Sequence, residues 1–279
     1  MKICSSIQSI KTLRKKLTGS IGFVPTMGAL HLGHSSLILN SNKNCDFTIV
    51  SIFVNPIQFN DQKDFNNYPR QEKNDLSLLE NLNVDALFIP DQMNFYNDDF
   101  STEIFEKSIS NGLEGASRPG HFKGVATVLV KFFNIIQPTH SFFGEKDAQQ
   151  LRVVKKIVKD LNFNIKIIGS PTIRENSGLA MSSRNKNLSI KSKEKAAVIY
   201  LGLEMGRKAL INGERNAEKI IYLIHSKIVS EPLSKIIYIS IADSKTLKEV
   251  QNEIKNDVLV SVAVKIDGVR LIDNFTYLL

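Results

Sequence analysis

A short apolar run followed by two glycines and two histidines constrains the fold of this chain more than any other stretch. Ile21–Val24 is apolar, as a buried strand requires, and the sequence PTMGALHLGH follows it directly. Gly28 and Gly33 let a ligand approach the backbone closely, and His31 and His34 stand three residues apart where a helix would begin. Because a helix N-terminus presents unpaired N–H groups and a positive dipole end, this segment predicts a strand–turn–helix unit suited to the phosphates of a nucleotide.

Strand-like and helix-like segments alternate through the first part of the chain. The alternation predicts right-handed βαβ crossovers and an α/β fold, a Rossmann-like parallel sheet flanked by helices. Ligands of such sheets bind beyond the carboxyl ends of the strands, and the polar motifs of this chain follow those ends. The predicted strands are Ile21–Val24, Phe47–Val54, Val84–Ile89, Ser141–Phe143 and Ile165–Ile168. The predicted helices are Gly33–Asn42, Glu72–Leu82, Val125–Ile136 and Ala148–Leu161, and Asp91–Asp99 is predicted to be a surface loop.

The character of the sequence changes after Pro171. Helical patterns over Ser192–Asn212 and Ala217–Val229 each predict one long helix, and three strand-like runs follow them. This order predicts a smaller α+β C-terminal domain. We therefore expect a Rossmann-like catalytic domain over residues 1–172 and a smaller lid domain over residues 173–279. The three strand-like runs are Ile236–Ile241, Leu259–Val264 and Arg270–Ile272.

Composition excludes several classes of protein. The formal net charge is +8, but the densest basic cluster, Arg14–Lys16, is short and no aromatic residues are interleaved with it, so we expect no nucleic-acid partner. No apolar run reaches about eighteen residues and no secretory signal is present, so we expect no membrane span and a cytoplasmic location. Cys4 and Cys45 lack metal-ligand spacing, which predicts two reduced thiols.

Two amides follow the most apolar predicted strand. Asn55 and Gln58 flank Pro56, which cannot continue a sheet ladder and therefore turns the chain. Side-chain amides at this edge can bind the hydroxyl and carboxylate groups of a small polar substrate. The alternative is that Asn55 only caps the turn.

A second strand end, Phe143–Gln150, meets a glycine and a helix start. The ammonium of Lys146 beside a helix N-terminus suits a phosphate, or charge that develops on one. Asp147 and Gln150 have the spacing of a capping box, so a structural role stays open for these two side chains.

Two loops carry arginines. Ser182, Ser183 and Arg184 place two hydroxyls before a guanidinium, which can close over the β- and γ-phosphates of a triphosphate or form a capped interdomain loop. The glycine-flanked basic segment Arg118–Gly124 is interpreted either as a lid or as the start of a helix.

The segments PTMGALHLGH, FVNPIQF, YPR, SRPGHFKGVATV, FGEKDAQQL, GLAMSSRN and GVRLIDN occur here in the order found in pantoate–β-alanine ligases. The chain resembles that family from about Gly22 to Asn185 and again over Arg270–Asn274. The family belongs to the HxGH nucleotidyltransferases, which are related in fold to class I aminoacyl-tRNA synthetases.

The resemblance implies a two-step ligase of pantothenate and coenzyme A biosynthesis. ATP adenylates the carboxylate of pantoate and releases pyrophosphate. The amine of β-alanine then attacks the pantoyl-adenylate, forming pantothenate and releasing AMP. The resemblance also implies Mg²⁺ as cofactor and a homodimer.

Site residues are implied by the same resemblance, motif by motif. The implied catalytic residues are His34, His31, Lys146 and Arg184. The implied ATP-binding residues are Met27, Gly28, Ala29, Leu30, His31, Leu32, Gly33, His34, Gly144, Glu145, Lys146, Asp147, Ile173, Met181, Ser182, Ser183 and Arg184. The implied pantoate ligands are Gln58 and Gln150, with Asn55 in support. Gln58 is also implied to border the β-alanine site. Asp75 is implied to aid Mg²⁺ binding, although Asn74 beside it is not acidic.

The chain departs from the family at a few positions. Ser177 replaces an acidic residue before Gly178, and Ser240 and Ala242 lie in a stretch that lacks the expected acidic residue and valine. These departures concern the smaller domain and leave the core chemistry intact.

Two alternatives remain open from the residues. One is another HxGH adenylyltransferase, which passes AMP to a small metabolite or acts on tRNA, although the chain has no anticodon-binding extension. The other is a non-catalytic nucleotide-binding protein, which predicts damaged phosphate ligands. His31, His34, Lys146 and Arg184 are all present.

Overall fold

The computed structural model describes all residues from Met1 to Leu279. The first strands and helices are β1 (Lys2–Cys4), α1 (Ile7–Arg14), β2 (Ile21–Thr26), α2 (Leu32–Asn44), β3 (Phe47–Ile52), α3 (Gln62–Asn66), α4 (Glu72–Asn81), β4 (Ala86–Phe88), α5 (Gln92–Phe95), α6 (Leu113–Ser117), α7 (His121–Ile136), β5 (His140–Gly144), α8 (Ala148–Asp160) and β6 (Lys166–Ser170). The remaining ones are α9 (Ile190–Lys195), α10 (Ala197–Ile211), α11 (Ala217–Val229), β7 (Ser234–Asp243), β8 (Val258–Ile266) and β9 (Val269–Tyr277). Short 3₁₀ helices span Pro56–Gln58, Glu145–Asp147 and Ser183–Asn187.

The chain divides into two compact units, each formed from more than one segment. The first unit comprises Met1–Lys107, Arg118–Glu145 and Gln150–Pro171. The second comprises Ser108–Ser117, Lys146–Gln149 and Thr172–Leu279. The assignment of a catalytic domain to residues 1–172 and a lid domain to residues 173–279 stays a prediction. The helices lack the combination of length and hydrophobicity that a membrane-spanning helix needs.

The first unit contains a six-stranded parallel sheet in the order β1-β4-β3-β2-β5-β6. From β2 the chain proceeds to β3 and β4 on one side and then to β5 and β6 on the other, so the strand order reverses between β2 and β5. A reversal of this kind opens a crevice at the carboxyl ends of the two strands, where ligands of open α/β sheets bind. Together with the antiparallel sheet of the second unit, this sheet confirms the predicted fold class.

The core of the first unit lies around the inner strands of its sheet. Helices cover both faces of a parallel sheet, so its inner strands are buried on both faces, as β2 and β4 are along most of their length. Phe23 on β2 is fully buried, and Phe132 on α7 packs against it with ring centroids 5.5 Å apart. Phe132 also packs against Phe88 and Phe95 at 6.0 and 5.1 Å, so one aromatic side chain links three chain segments.

Two predicted elements are wrong in detail. The segment predicted as the surface loop Asp91–Asp99 contains α5, because the Asp91 carboxylate accepts the Met93 N–H and thereby starts a helical turn that buries Phe95. The single helix predicted over Ser192–Asn212 is divided into α9 and α10. The break lies at Ala196. There the Ile199 N–H donates to the Ala196 carbonyl at 3.2 Å, an i→i+3 hydrogen bond of the 3₁₀ type.

The second unit contains the antiparallel sheet β7-β8-β9 with α10 and α11 packed on it. The two helices approach closely at Gly206, where a Cβ would meet the Ile224 side chain at 2.7 Å. The segment Ser108–Ser117 joins this unit through Glu114, whose Oε1 accepts hydrogen bonds from Arg270 at 2.6 Å and from the Tyr238 hydroxyl at 3.0 Å. Burial, and then the Glu114 charge, raise the pKa of Tyr238, so its hydroxyl stays a donor.

Candidate active site

His31 and His34 lie at the carboxyl end of β2, where α2 begins. His31 is the N-cap residue of α2, and its Nδ1 accepts the Gly33 N–H at 3.1 Å. The Nδ1 of His34 accepts the His31 N–H at 3.3 Å, and the two ring centroids are 4.1 Å apart. A neutral imidazole that accepts a hydrogen bond through Nδ1 carries its proton on Nε2. Both histidines are therefore Nε2–H donors, the form that can bind a phosphate oxygen.

The turn before these histidines is held by a buried carboxylate. Gly28 and Ala29 both have positive φ, 79° and 49°, so the backbone bends sharply there. Asp75 on α4 is 3% exposed, and its Oδ2 and Oδ1 accept the N–H groups of Ala29 and Leu30, each at 2.8 Å. Asp75 thus fixes the two residues that precede His31.

Asp75 does not belong to a cluster of side chains that could coordinate a metal ion by themselves. Each of its oxygens is already committed to a backbone N–H, and no group of three or more His, Cys, Asp or Glu side chains that could hold a metal ion is found. The protein side chains alone therefore do not form a cage for Mg²⁺. The role predicted for Asp75 in aiding Mg²⁺ stays a prediction.

Asn55 and Gln58 form a buried amide pair at the carboxyl end of β3. Asn55 and Gln58 are 1% and 7% exposed, and the Asn55 Nδ2 donates to the Gln58 Oε1 at 3.0 Å and to the Gly124 carbonyl at 3.1 Å. The Asn55 Oδ1 accepts the Tyr96 hydroxyl at 3.0 Å. The Nε2 of Gln58 lies 2.9 Å from the Met27 Sδ. The structure thus brings together three predicted site residues, Met27, Asn55 and Gln58.

The basic segment Arg118–Gly124 contains the start of α7 and contacts the amide pair. The Nδ1 of His121 lies 2.9 Å from the Gln58 carbonyl oxygen, and the Nη1 of Arg118 lies 3.2 Å from the Nε2 of His121. Because the guanidinium can only donate, Nε2 accepts and Nδ1–H donates to the carbonyl. A Cβ on Gly124 would meet the Ile57 carbonyl at 2.5 Å, so glycine is required for this close packing.

The carboxyl end of β5 carries the next predicted residues. Gly144 ends β5, and a Cβ there would meet no protein atom within 4 Å, so the space beyond this strand end is open. Glu145 begins the short 3₁₀ helix, and Gln150 lies half-buried on α8. In the second unit, Gln149 is structural: its amide donates to the Ile109 and Gly112 carbonyls, both at 2.8 Å.

Lys146 belongs to the second unit, where β9 holds its backbone. The Nδ2 of Asn274 donates to the Lys146 carbonyl at 2.7 Å. The Lys146 ammonium lies 3.5 Å from the Asp147 Oδ1, which keeps a counter-charge beside it. The side chain is mostly buried, so its rotamers are restricted.

The loop with the remaining predicted ATP residues is anchored on the same strand. Arg174 forms a bidentate pair with Asp273 on β9, at 2.6 and 2.9 Å, and its guanidinium stacks 4.6 Å from the Tyr200 ring centroid. Burial acts to lower the pKa of Arg174, but the hydrogen bonds and charge of Asp273 outweigh it and the pKa is raised. The Ile173 carbonyl accepts the Met181 N–H at 2.9 Å, which closes the loop.

The hydroxyl of Ser182 forms a helix cap, which is the structural alternative that the sequence left open for this loop. It caps the 3₁₀ helix Ser183–Asn187 by accepting the Arg184 N–H at 3.3 Å. Asn185, one residue further, is buried and donates to Glu175 and to the Ala180 carbonyl, both at 3.1 Å. The departure at Ser240 is also accommodated, since its hydroxyl donates to Glu249 at 2.7 Å.

Sequence reasoning missed three residues that hold predicted site residues in place and a fourth, Glu114, that joins its segment to the second unit. Tyr96 lay in the predicted surface loop, and Glu114 lay outside every motif. Asp273 and Asn274 lay inside the GVRLIDN segment without an assigned role. The one available signal was the polar pair Asp273–Asn274 between the apolar residues Ile272 and Phe275 of β9, a place where a charged side chain is uncommon.

The whole chain is similar to known proteins. The sequence model of the family described as Pantoate-beta-alanine ligase matches residues 2–276. A protein named Pantothenate synthetase from Clostridium botulinum (strain 657 / Type Ba4) is 49% identical over 280 residues, covering 99% of each chain. One of the same name from Thermosipho africanus (strain TCF52B) is 44% identical over 277 residues, covering 98% of this chain and 99% of the relative.

Two solved structures extend the similarity to three dimensions. The pantothenate synthetase from Thermus thermophilus has a TM-score of 0.93 at 38% identity, with 99% of each chain covered. The pantoate-beta-alanine ligase from Francisella tularensis, complexed with Beta-gamma ATP and Beta-alanine, has a TM-score of 0.81 at 41% identity, covering 99% of this chain and 97% of that one. The resemblance stated from the motifs is confirmed: this chain belongs to the pantoate–β-alanine ligase family and is a ligase.

Proposed function

We propose that this chain joins pantoate to β-alanine with ATP, through a pantoyl-adenylate intermediate. The contact of Gln58 Nε2 with Met27 Sδ, at 2.9 Å, supports this most directly. Met27 belongs to the turn that carries His31 and His34, so an amide suited to a carboxylate lies beside a turn suited to phosphate. Adenylation of a carboxylate needs those two groups side by side.

ATP binds, in this proposal, at the carboxyl ends of β2 and β5. The N-terminus of α2 attracts phosphate, and His31 and His34 donate Nε2–H to its oxygens. The open space at Gly144 lets a nucleotide approach the end of β5. The ATP complex of the Francisella relative supports the same ligand here. The proposed contacts are Met27–His34, Gly144–Asp147, Ile173 and Met181–Arg184.

Pantoate binds to the proposed donors Gln58 and Gln150. The Oε1 of Gln58 is occupied by Asn55, so its Nε2–H groups are the end that can bind a substrate oxygen. Gln150 on α8 supplies the second amide. Asn55 supports Gln58 in pantoate binding through the hydrogen bond to its Oε1.

In the first step, a pantoate carboxylate oxygen attacks the α-phosphorus of ATP. An oxygen–phosphorus bond forms, the bond from the α-phosphorus to the bridging oxygen breaks, and pyrophosphate leaves with the electron pair. Negative charge accumulates on the leaving group, and we assign its stabilisation to His31, His34, Lys146 and Arg184. The step needs positioning and charge neutralisation and no protein nucleophile.

In the second step, the neutral amine of β-alanine attacks the carbonyl carbon of the adenylate. The carbon–nitrogen bond forms, the bond from carbon to the phosphate oxygen breaks, AMP leaves, and the nitrogen loses one proton to solvent. Gln58 borders this amine acceptor in the proposal. The β-alanine bound in the Francisella structure supports the same nucleophile.

Three further parts of the proposal rest on the family resemblance. Asp75 would aid the binding of Mg²⁺, and the bound ion would supply neutralisation of phosphate charge. The chain acts as a homodimer, and it works in the cytoplasm. Sedimentation at several protein concentrations tests the dimer.

One assay tests the function. Labelled pyrophosphate is expected to exchange into ATP when pantoate is present and β-alanine is absent, and AMP is expected once β-alanine is added. Exchange that does not require pantoate would identify a different adenylyltransferase. ATP binding without exchange or turnover would identify a non-catalytic nucleotide-binding protein.

A further inference from the structure

A chain of three side-chain hydrogen-bonding groups leads from Tyr96 to the substrate-facing end of Gln58. The Tyr96 hydroxyl lies 3.0 Å from the Asn55 Oδ1, and the Asn55 Nδ2 lies 3.0 Å from the Gln58 Oε1. All three residues lie in the first unit, and both amides are buried. Groups buried in this way must satisfy one another, so their donor and acceptor ends are interdependent.

The neighbours of the amide pair allow one orientation of each amide. The Gly124 carbonyl can only accept, so the amide nitrogen of Asn55 faces it and the oxygen faces Tyr96. Burial raises the pKa of Tyr96, which keeps its hydroxyl protonated as the donor to that oxygen. If Gln58 were reversed, two NH₂ groups would face each other. The NH₂ of Gln58 therefore points away from Asn55 and towards Met27, a weak acceptor that a substrate oxygen can replace.

Tyr96 is itself held by an unusual arrangement around Lys131. The Lys131 ammonium lies 5.3 Å from the Tyr96 ring centroid, 5.0 Å from that of Phe95 and 4.6 Å from that of Phe100. Tyr96 packs edge-on against Phe95 at 5.1 Å and tilted against Phe100 at 4.8 Å. An ammonium attracted by three aromatic faces keeps those rings together, so the position of the Tyr96 hydroxyl is determined by this aromatic cage.

We propose that Tyr96 is a positioning residue for substrate binding: held by the aromatic cage of Lys131, it fixes the amide pair so that Gln58 presents only N–H donors. The site at Gln58 then binds a carboxylate or hydroxyl oxygen and rejects a group that can only donate. This inference rests on the proposed function, in which Gln58 contacts pantoate. Tyr96 touches no substrate and acts through Asn55.

The variant Tyr96→Phe removes the hydroxyl and keeps the ring in the cage. The buried Asn55 oxygen then loses its donor, and the amide pair is held on that side by the Gly124 carbonyl alone, so its position is less well fixed. We expect the KM for pantoate in the exchange assay to rise about tenfold, the effect of one lost directional hydrogen bond. The KM for ATP is expected to change less, within about twofold, because Met27 is the one proposed ATP contact that touches Gln58 and the other proposed ATP contacts do not depend on the amide pair. Tyr222→Phe, at a tyrosine that is 70% exposed on α11, is the matched control and is expected to change neither constant.

A double-variant cycle separates positioning from a general structural effect. If Tyr96 acts through Asn55, then adding Tyr96→Phe to Asn55→Ala changes kcat/KM for pantoate no further. Independent, additive losses would overturn the proposal. Lys131→Met keeps the aliphatic stem and removes the ammonium, and we expect it to raise the pantoate KM about threefold. This second variant decides the question if Tyr96→Phe fails to fold.

The outcomes also separate this inference from the proposed function. No pantoate-dependent exchange in the wild-type protein would refute the proposed function itself. Normal wild-type exchange together with unchanged pantoate KM in both Tyr96→Phe and Lys131→Met would refute only the positioning role of Tyr96. Thermal unfolding of each variant, compared with the wild type, shows whether it is folded.

Discussion

The side-chain amide of Asn274 donates a 2.7 Å hydrogen bond to the backbone carbonyl of Lys146. Its neighbour Asp273 forms the bidentate pair with Arg174, and the Asp273 Oδ1 also accepts the Asn274 N–H at 2.8 Å. Two adjacent residues of one strand therefore anchor both chain segments to which the resemblance assigns phosphate-binding cations. Within the second unit, β9 sets the positions of the Lys146 backbone and of the loop that leads to Arg184.

Removal of the amide at Asn274 is expected to affect turnover more than binding. In Asn274→Ala the Lys146 carbonyl loses its hydrogen-bond donor. The Lys146 backbone is then held less firmly, and the ammonium at the end of its side chain is positioned less precisely. We expect kcat to fall about tenfold with little change in the pantoate KM, because the interaction lost acts on transition-state charge. Steady-state kinetics measure both constants. Asn252→Ala, in an exposed loop, is the control, and an equal change in that variant would contradict the role of Asn274.

The ammonium of Lys146 is expected to contribute directly to the chemical step. Lys146→Ala should lower kcat by about two orders of magnitude or more, as the loss of a preorganised charge partner does. Lys155→Ala, at an exposed lysine on α8, should leave kcat unchanged. The measurement is single-turnover formation of AMP. A near-normal rate in Lys146→Ala would remove Lys146 from the proposed mechanism.

Asp75 is expected to stabilise the protein in the absence of any nucleotide or metal. In Asp75→Asn one of the two accepting oxygens becomes an NH₂ group that faces a backbone N–H, so one hydrogen bond is replaced by a clash of donors. We expect the free energy of unfolding to fall by about 2–3 kcal/mol, the range for a lost hydrogen bond to a buried charged group. Urea unfolding with EDTA present measures this.

The same experiment separates the two roles considered for Asp75. A residue that only aids Mg²⁺ binding would leave the stability of the metal-free protein unchanged. Asp98→Asn, at an exposed loop aspartate, is the matched control and should also leave it unchanged. Equal stability of Asp75→Asn and wild type under EDTA would show that the hydrogen bonds to Ala29 and Leu30 are not needed for folding.

The parts of the structure that the sequence predicted are those with local patterns. The turn after β2 was predictable because its glycines and histidines are adjacent, and the parallel sheet because apolar runs alternate with helical periods. Asp75 was not predictable as a support of that turn, since 45 and 46 residues separate it from the N–H groups it holds. Tyr96 likewise lies 41 residues from Asn55. Pairing across such separations depends on packing, which no local pattern encodes.

A pH dependence of stability is expected from Asp243 at the end of β7. Hydrogen bonds from the Thr246 N–H and hydroxyl and from the Lys245 N–H outweigh desolvation and lower the pKa of Asp243 below its usual 3.8. A carboxyl whose pKa is lower in the folded state stabilises the fold above the unfolded pKa and loses that contribution as pH falls through the folded pKa. The melting temperatures of Asp243→Asn and wild type should therefore differ at pH 6 and converge as the pH falls below 3.8 and through the lower pKa of the folded state. A difference that grows as pH falls would contradict the assignment.

The role of His34 is expected to depend on its Nε2 position. A glutamine places its amide nitrogen near the Nε2 of histidine, whereas an asparagine reproduces only the Nδ1 position. Because the Nδ1 of His34 accepts the His31 N–H at 3.3 Å, the phosphate contact in the proposal belongs to Nε2–H. We expect His34→Gln to lower kcat about tenfold and His34→Asn about a hundredfold, since an amide can donate a hydrogen bond without transferring a proton. Equal, large losses in both variants would instead indicate that His34 transfers a proton to the departing pyrophosphate, and a smaller loss in His34→Asn would place the important contact at Nδ1.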